Sequence, residues 1–233
     1  MNDLASDGSG RMFDRISERY DLLNRVMSVG SDARWRRVAV DALGPDVRQV
    51  LDLATGTADV ALEVVRRIPS CQVVGVDPSM GMLSVGRGKV ERADLNDRIE
   101  LRQGDGMDIP ADDDAFDGAI MAFGIRNVPD RPACLRELGR VVRAGGPIVL
   151  LELAEPEGHP LAFAARFWKR HVVPQLGAML SSTPEYAYLE KSIRAFPRPP
   201  EFADIMRDCG LADVEARPLT FGAATVFFGR VKG

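Results

Sequence analysis

The sequence predicts an α/β protein built on a doubly wound, mainly parallel sheet of seven strands. Three observations carry this. Short apolar runs alternate with amphipathic helical stripes, the order that builds a parallel sheet with helices on its faces. One run, Val50–Leu53, enters a tight turn at Gly56 from which a helix pattern departs, and another, Val73–Val76, ends on Asp77. Two β-rich runs, Val214–Leu219 and Thr225–Val231, follow each other without a helix and read as a closing hairpin.

Each element follows in order. Phe13, Ile16, Tyr20, Leu23, Val26 and Met27 recur at helical spacing, and Trp35, Val38, Ala39 and Ala42 continue after a break at Gly30. Two helices therefore precede strand one, Val50–Leu53. A helix of Val60, Ala61, Val64 and Val65 stops at Pro69. Strand two is Gln72–Val76, and the next helix follows Asp77-Pro78-Ser79 with Pro78 in its first turn. Strand three is Arg98–Arg102, and strand four, Phe116–Ala122, follows an acidic loop. A helix from Arg131 to Val142 ends at Gly145-Gly146, ahead of strand five, Ile148–Leu153. Residues 154–200 break the rhythm and read as a helical insertion; Glu201–Cys209 is the last sheet helix, ending at Gly210. Residues 1–11 are expected to be disordered and 12–233 to form one domain.

Composition narrows the function. Of the 233 residues 45% are hydrophobic, enough for a sizeable core. The net charge of −4 gives no footing for nucleic-acid binding. Cys71, Cys134 and Cys209 are widely spaced and form neither a metal pair nor a disulfide framework, so no metal and a cytoplasmic location are expected. No apolar run approaches a membrane span, so any membrane contact is expected to be peripheral.

In a doubly wound sheet, ligands bind beyond the carboxyl ends of the strands where strand order reverses. The loops expected there carry Gly56-Thr57, Asp77, Asp105-Gly106 and Phe123–Asn127. A carboxylate at the tip of strand two can accept hydrogen bonds from ribose hydroxyls. A dinucleotide loop needs three glycines close to a pyrophosphate, and Gly56 stands alone between Asp52 and Asp59. Two carboxylates repel phosphate and suit a cation, which favours S-adenosylmethionine over a nicotinamide dinucleotide. The plain alternative is a βαβ unit without a ligand.

Several stretches then resemble the class I S-adenosylmethionine-dependent methyltransferases, and more narrowly the C-methyltransferases of menaquinone and ubiquinone biosynthesis. They are Phe13–Asn24, Leu51–Asp59, Phe123–Val128, Arg140–Gly146 and Tyr186–Ile193. The glycine loop is general to methyltransferases; Phe-Gly-Ile-Arg-Asn and Tyr-x-Tyr-Leu-x-x-Ser-Ile are specific to the quinone family. Thr55 and Ala58 stand where that family usually has glycine, Glu185 where it has serine, and Phe196 where it has histidine.

The resemblance implies a Rossmann-like fold and methyl transfer to a ring carbon of a polyprenylated hydroquinol, with demethylmenaquinol the expected acceptor. Gly56 and Thr57 would contact the methionyl part of the cofactor, Asp77 the ribose, and Asp105 and Gly106 the adenine. Ala122 would offer a backbone contact, and Asp52 would lie at the floor of the site. Arg126 and Asn127 are the expected catalytic pair, Arg126 stabilising a phenolate; its structural alternative is a tie to Asp117 or Asp130. Tyr20, Phe123, Tyr186 and Tyr188 would line the acceptor pocket. In the insertion, Leu161, Ala165, Trp168, Val172 and Leu176 with nearby basic residues read as a lid over the acceptor or a lipid-facing surface, and His171 as a surface residue or a base. Peripheral contact at the inner face of the membrane and a homodimer are carried as expectations. A methyltransferase for another phenol and a non-catalytic cofactor-binding scaffold are the competing readings.

Overall fold

A computed structural model of the chain describes residues 13–14, 17, 20–28, 30–154 and 183–233. Its elements are α1 (Tyr20–Met27), α2 (Asp32–Ala42), β1 (Gln49–Leu53), α3 (Asp59–Arg67), β2 (Gln72–Asp77), α4 (Met80–Arg92), β3 (Ile99–Gln103) and β4 (Gly118–Ala122). After a single 3-10 turn (Ile125–Asn127) come α5 (Arg131–Val141), β5 (Pro147–Leu153), α6 (Thr183–Arg194), α7 (Pro199–Asp208), β6 (Leu211–Leu219) and β7 (Ala224–Val231).

The seven strands form one sheet in the order β3-β2-β1-β4-β5-β7-β6. Five are parallel; β7 runs antiparallel to both β5 and β6. Central strands are largely apolar because helices cover both faces, with Asp52 of β1 and Glu152 of β5 as buried exceptions. On one face Val50, Ile120, Val149 and Leu151 meet Trp35 and Val40 of α2 and Val60 and Val64 of α3. On the other, Leu51, Leu53, Met121 and Leu150 meet Leu135 and Leu138 of α5 and Phe202 and Met206 of α7.

Boundaries depart from the sequence reading for identifiable reasons. Ser79, not Pro78, opens α4: its hydroxyl caps Met82 N at 3.1 Å, so the proline precedes the cap instead of lying in the first turn. Phe116 makes only an isolated bridge to Val142, and β4 begins at Gly118. A register shift between Ala212 and Glu215 lets β6 start at Leu211, three residues before the expected Val214. Within the insertion, Thr183–Arg194 is helical as expected; the stripe from Leu161 to Leu176 and His171 lie outside the described residues.

Candidate active site

Strand order reverses at β1, which lies between β2 and β4. The loops after β1, β2, β3 and β4 therefore open at one edge. The first turns tightly: Ala54, Gly56 and Ala58 all have positive φ, at 54°, 56° and 66°. That region favours glycine, so Ala54 and Ala58 hold strained backbone, as is common beside ligands. Asp77 staples this loop to the next. One carboxylate oxygen accepts from Gly56 N at 2.9 Å, and the other accepts from Ser79 N at 2.9 Å. Burial pushes the Asp77 carboxyl up to about 6 against the pull of those two amides.

Asp52 lies beneath the loop, fully buried, where it accepts from Thr55 Oγ1 at 2.6 Å. Gly75, its cross-strand neighbour, makes room for this, since a Cβ there would come within 2.8 Å of Thr55 Oγ1. Burial raises the Asp52 carboxyl to about 7, and its second oxygen has no partner among the described residues. Asp105, after β3, is exposed and accepts from Met107 N at 2.8 Å. Gly106 backs onto Cys134 and Leu53, and Ala122 ends β4 half-buried at the same edge.

The N-terminal segment closes over this edge. Asp14 accepts from Ser79 Oγ at 2.5 Å and from Gly81 N at 2.9 Å, adding a second cap to α4. Asp21 of α1 accepts from Thr57 Oγ1 at 2.6 Å and pairs with Lys89 at 2.5 Å; Lys89 also reaches Asp59 at 2.6 Å. The Thr57 hydroxyl is thus committed to the α1 contact, and the backbone is what it offers a ligand. Tyr20 lies within the fields of Arg126, Arg36 and Asp77; burial raises its phenol, which stays protonated at neutral pH.

Arg126, in the turn after β4, is buried against Glu152 of β5. Nη1 donates to Glu152 Oε1 at 2.7 Å and to Phe123 O at 2.6 Å, while Arg126 N donates to Glu152 Oε2 at 3.2 Å. Nε is buried without a partner among the described residues. Neither acid considered from sequence holds it: Asp117 accepts from Arg48 N and Gln49 N, and Asp130 caps α5. Asn127 adjoins, with Oδ1 accepting from Tyr188 OH of α6 at 3.3 Å. The Tyr188 phenol is raised by burial and likewise stays protonated.

Phe123 corrects the expectation of a pocket-lining ring. Its side chain is 7% exposed and packs on Trp35, with Arg36 stacked over it at 5.7 Å. What faces the site is its carbonyl, turned by a φ of 59° towards Arg126 and Asn127. Tyr186 lies in α6, but its side chain is outside the described residues. The structure thus brings Asp52, Gly56, Asp77, Ala122, Arg126, Asn127, Tyr20 and Tyr188 to one edge of the sheet.

Sequence reasoning missed Glu152, Asp21, Lys89, Asp14 and Asn24. Glu152 had a legible signal: it is the sole charge in the strand Pro-Ile-Val-Leu-Leu-Glu-Leu. The others look like ordinary helix-surface polarity. Buried polar atoms without a partner among the described residues are Asn24 Nδ2, Asp52 Oδ1, Arg126 Nε and Thr225 Oγ1. Asn24 adjoins Tyr20, and Thr225 is the cross-strand partner of Glu152. Native interiors leave few such atoms. An acid bonded by backbone amides at the tip of β2, a second acid below and one glycine in the loop fit a ribosyl ligand bearing positive charge. They do not fit a pyrophosphate.

Solved structures with this architecture include S-adenosylmethionine-dependent methyltransferases. One from Thermotoga maritima superimposes with a TM-score of 0.65 at 19% identity, covering 96% of this chain and 99% of its own. One from Methanococcus maripaludis gives 0.64 at 15% identity, covering 100% and 98%. At 19% and 15% identity these likenesses show the fold, a Rossmann-like doubly wound sheet. The chain belongs to the ubiE/COQ5 methyltransferase family, whose model matches residues 1–231. It is 43% identical over 219 residues to the ubiquinone/menaquinone biosynthesis C-methyltransferase UbiE of Syntrophotalea carbinolica, covering 94% of this chain and 92% of the relative. It is 41% identical over 221 residues to the demethylmenaquinone methyltransferase of Porphyromonas gingivalis, covering 94% and 90%.

Proposed function

We propose that the protein methylates a ring carbon of a polyprenylated hydroquinol, with demethylmenaquinol as acceptor and menaquinol as product. The observation that carries this is Arg126, a buried guanidinium with an unpartnered Nε beside Asn127 and the two protonated phenols. A buried arginine with a free donor suits an oxygen that gains negative charge during reaction. The acceptors named for the relatives support a quinol.

When bound, S-adenosylmethionine supplies an electrophilic methyl group on a positively charged sulfur. Asp77 would take the ribose hydroxyls, Gly56 and Thr57 would offer backbone to the methionyl part, Asp105 and Gly106 would hold the adenine, and Ala122 would give a further backbone contact. Asp52 lends negative potential from below. Arg126 would hold the phenolic oxygen and favour its anion, the proton passing to solvent, which raises electron density on the neighbouring ring carbon. Once that carbon has taken the methyl group, S-adenosylhomocysteine leaves, the ring proton is lost to restore aromaticity and the phenolate is reprotonated. Asn127, fixed by Tyr188, orients the second oxygen. Tyr20 would complete the acceptor wall. From the insertion, α6 reaches the catalytic loop through the Tyr188–Asn127 contact. A polyprenyl tail partitions into lipid, so the enzyme works from the cytoplasm by peripheral contact with the membrane. No described helix is long and apolar enough to cross one.

The test is methyl transfer from radiolabelled S-adenosylmethionine to reduced demethylmenaquinone, with a benzoquinol intermediate and a simple catechol alongside. Label in the naphthoquinol ring is the expected result. Label only in the benzoquinol or catechol overturns the menaquinol assignment. Cofactor binding without any labelling returns the scaffold reading.

A further inference from the structure

We propose that Glu152 is a positioning residue for Arg126, holding the guanidinium so that its Nε edge is presented to the acceptor oxygen. This rests on the function proposed above. Glu152 is completely buried in an otherwise apolar strand. A carboxylate taken from water into such a place is costly unless its oxygens are bonded. Oε1 accepts from Arg126 Nη1 at 2.7 Å and from Leu153 N at 2.8 Å; Oε2 accepts from Arg126 N at 3.2 Å. One side chain thus grips both the guanidinium and the backbone of the same arginine.

The manner of pairing separates positioning from simple stabilisation. An arginine and a carboxylate left to themselves favour two parallel bonds, fork to fork. Here the carboxylate takes one guanidinium nitrogen, which it shares with Phe123 O. The other nitrogens make no hydrogen bond among the described residues, and Nε is buried as well. Buried ion pairs add little net stability over apolar residues of the same volume, so a one-nitrogen pair with an orphaned donor is a poor device for holding a sheet together. It is a good device for aiming a fork. With Nη1 engaged, Nε and Nη2 remain as two donors in one plane, which matches an oxygen anion. The strained φ of 59° at Phe123 brings its carbonyl to Nη1 and closes the clamp from the opposite side. Arg131 completes the clamp by donating to the carbonyls of Ile125 and Arg126, which fixes the turn carrying the arginine.

The test compares Glu152→Gln, Arg126→Ala and the double variant in methyl transfer to reduced demethylmenaquinone, with S-adenosylhomocysteine affinity as control. Glu152→Gln keeps shape and one acceptor but loses the charge. The expected result is a kcat lowered roughly 100-fold, the scale of a misplaced catalytic group. KM for S-adenosylmethionine and S-adenosylhomocysteine affinity should stay within about twofold, since Glu152 makes no contact with Asp77 or the first loop. In the Arg126→Ala background Glu152→Gln should cost nothing further, because residues acting as a unit are not additive. Losses that multiply, an unchanged kcat, or an equal loss of S-adenosylhomocysteine affinity would each overturn the assignment. Should Glu152→Gln not fold, the paired variant Arg126→Met with Glu152→Leu decides. It should fold, bind S-adenosylhomocysteine and transfer no methyl group; an unfolded or active paired variant overturns the proposal. A wild-type protein that labels no quinol would instead overturn the proposed function, so the two failures are distinct.

Discussion

Two carboxyls sit below the ligand edge with affinities for protons near neutrality, Asp77 at about 6 and Asp52 at about 7, both raised by burial. Raised carboxyls bind protons more tightly in the folded chain than in the unfolded one. Their stabilising contribution is therefore complete below the ordinary carboxylate value near 4 and is lost as pH rises towards 7. The ligand-free protein should lose thermal stability between about pH 4 and pH 7, and Asp52→Asn should flatten that decline in a melting series. S-adenosylmethionine affinity should run the other way, strengthening over the same window, because a cation and two ribose hydroxyls favour the ionised acids. Calorimetry in buffers of different ionisation enthalpy should register proton release on binding. Asp77→Asn should weaken binding roughly 10- to 100-fold, the scale of losing hydrogen bonds to a charged acceptor. Arg126→Ala should lower kcat on the quinol roughly 100- to 1000-fold while leaving S-adenosylhomocysteine affinity nearly unchanged. Asp77 and Arg126 were legible in sequence because strand tips of a doubly wound sheet are fixed places. Glu152 was passed over because its role exists only once β4 and β5 are paired side by side.

At the scale of elements, the site depends on loops that touch one another. Gly124 lies between β4 and the first loop; a Cβ there would come within 2.6 Å of Met121 Cε and 2.7 Å of Ala54 Cβ. Gly124→Ala should cost about 1–3 kcal/mol as an overpacked contact and reduce turnover by displacing the Arg126 turn, both measurable by denaturant unfolding and a rate assay. The helix following β2 starts on Ser79, which caps Met82 N and is itself held by Asp14. Ser79→Ala should lower stability by about 1 kcal/mol and slacken the Asp77 loop. The helix periods and strand runs that framed these loops were plain in the sequence. Where Pro78 and Ser79 divide turn from helix was not, since both residues favour helix starts and the hydrogen bond to Met82 decides between them.

Over the whole molecule, the covering of the ligand edge depends on one long-range charge cluster. Lys89 of α4 gathers Asp21 of α1 and Asp59 of α3, and Asp59 lies 3.4 Å from Arg36 of α2. Four helices meet there around the first loop. Partly exposed pairs of this kind weaken with salt. Lys89→Met should loosen α1, speed proteolysis ahead of α2, and weaken S-adenosylhomocysteine binding more at low salt than at high. Unchanged proteolysis would count against this clasp.

Hydrophobic periodicity determined the architecture by itself: five parallel strands, two closing strands, and helices on both faces follow from which positions must leave water. Turn chemistry and strand ends likewise determined where Gly56, Asp77 and Arg126 would stand, because local backbone geometry fixes such positions within a few residues. Tertiary structure alone decided partners. It turned Thr57 towards Asp21, buried the Phe123 ring against Trp35, and placed Glu152 under Arg126. These pairings join residues from different elements. Their energies depend on distance and desolvation, which come into being only when the sheet has closed and water has left.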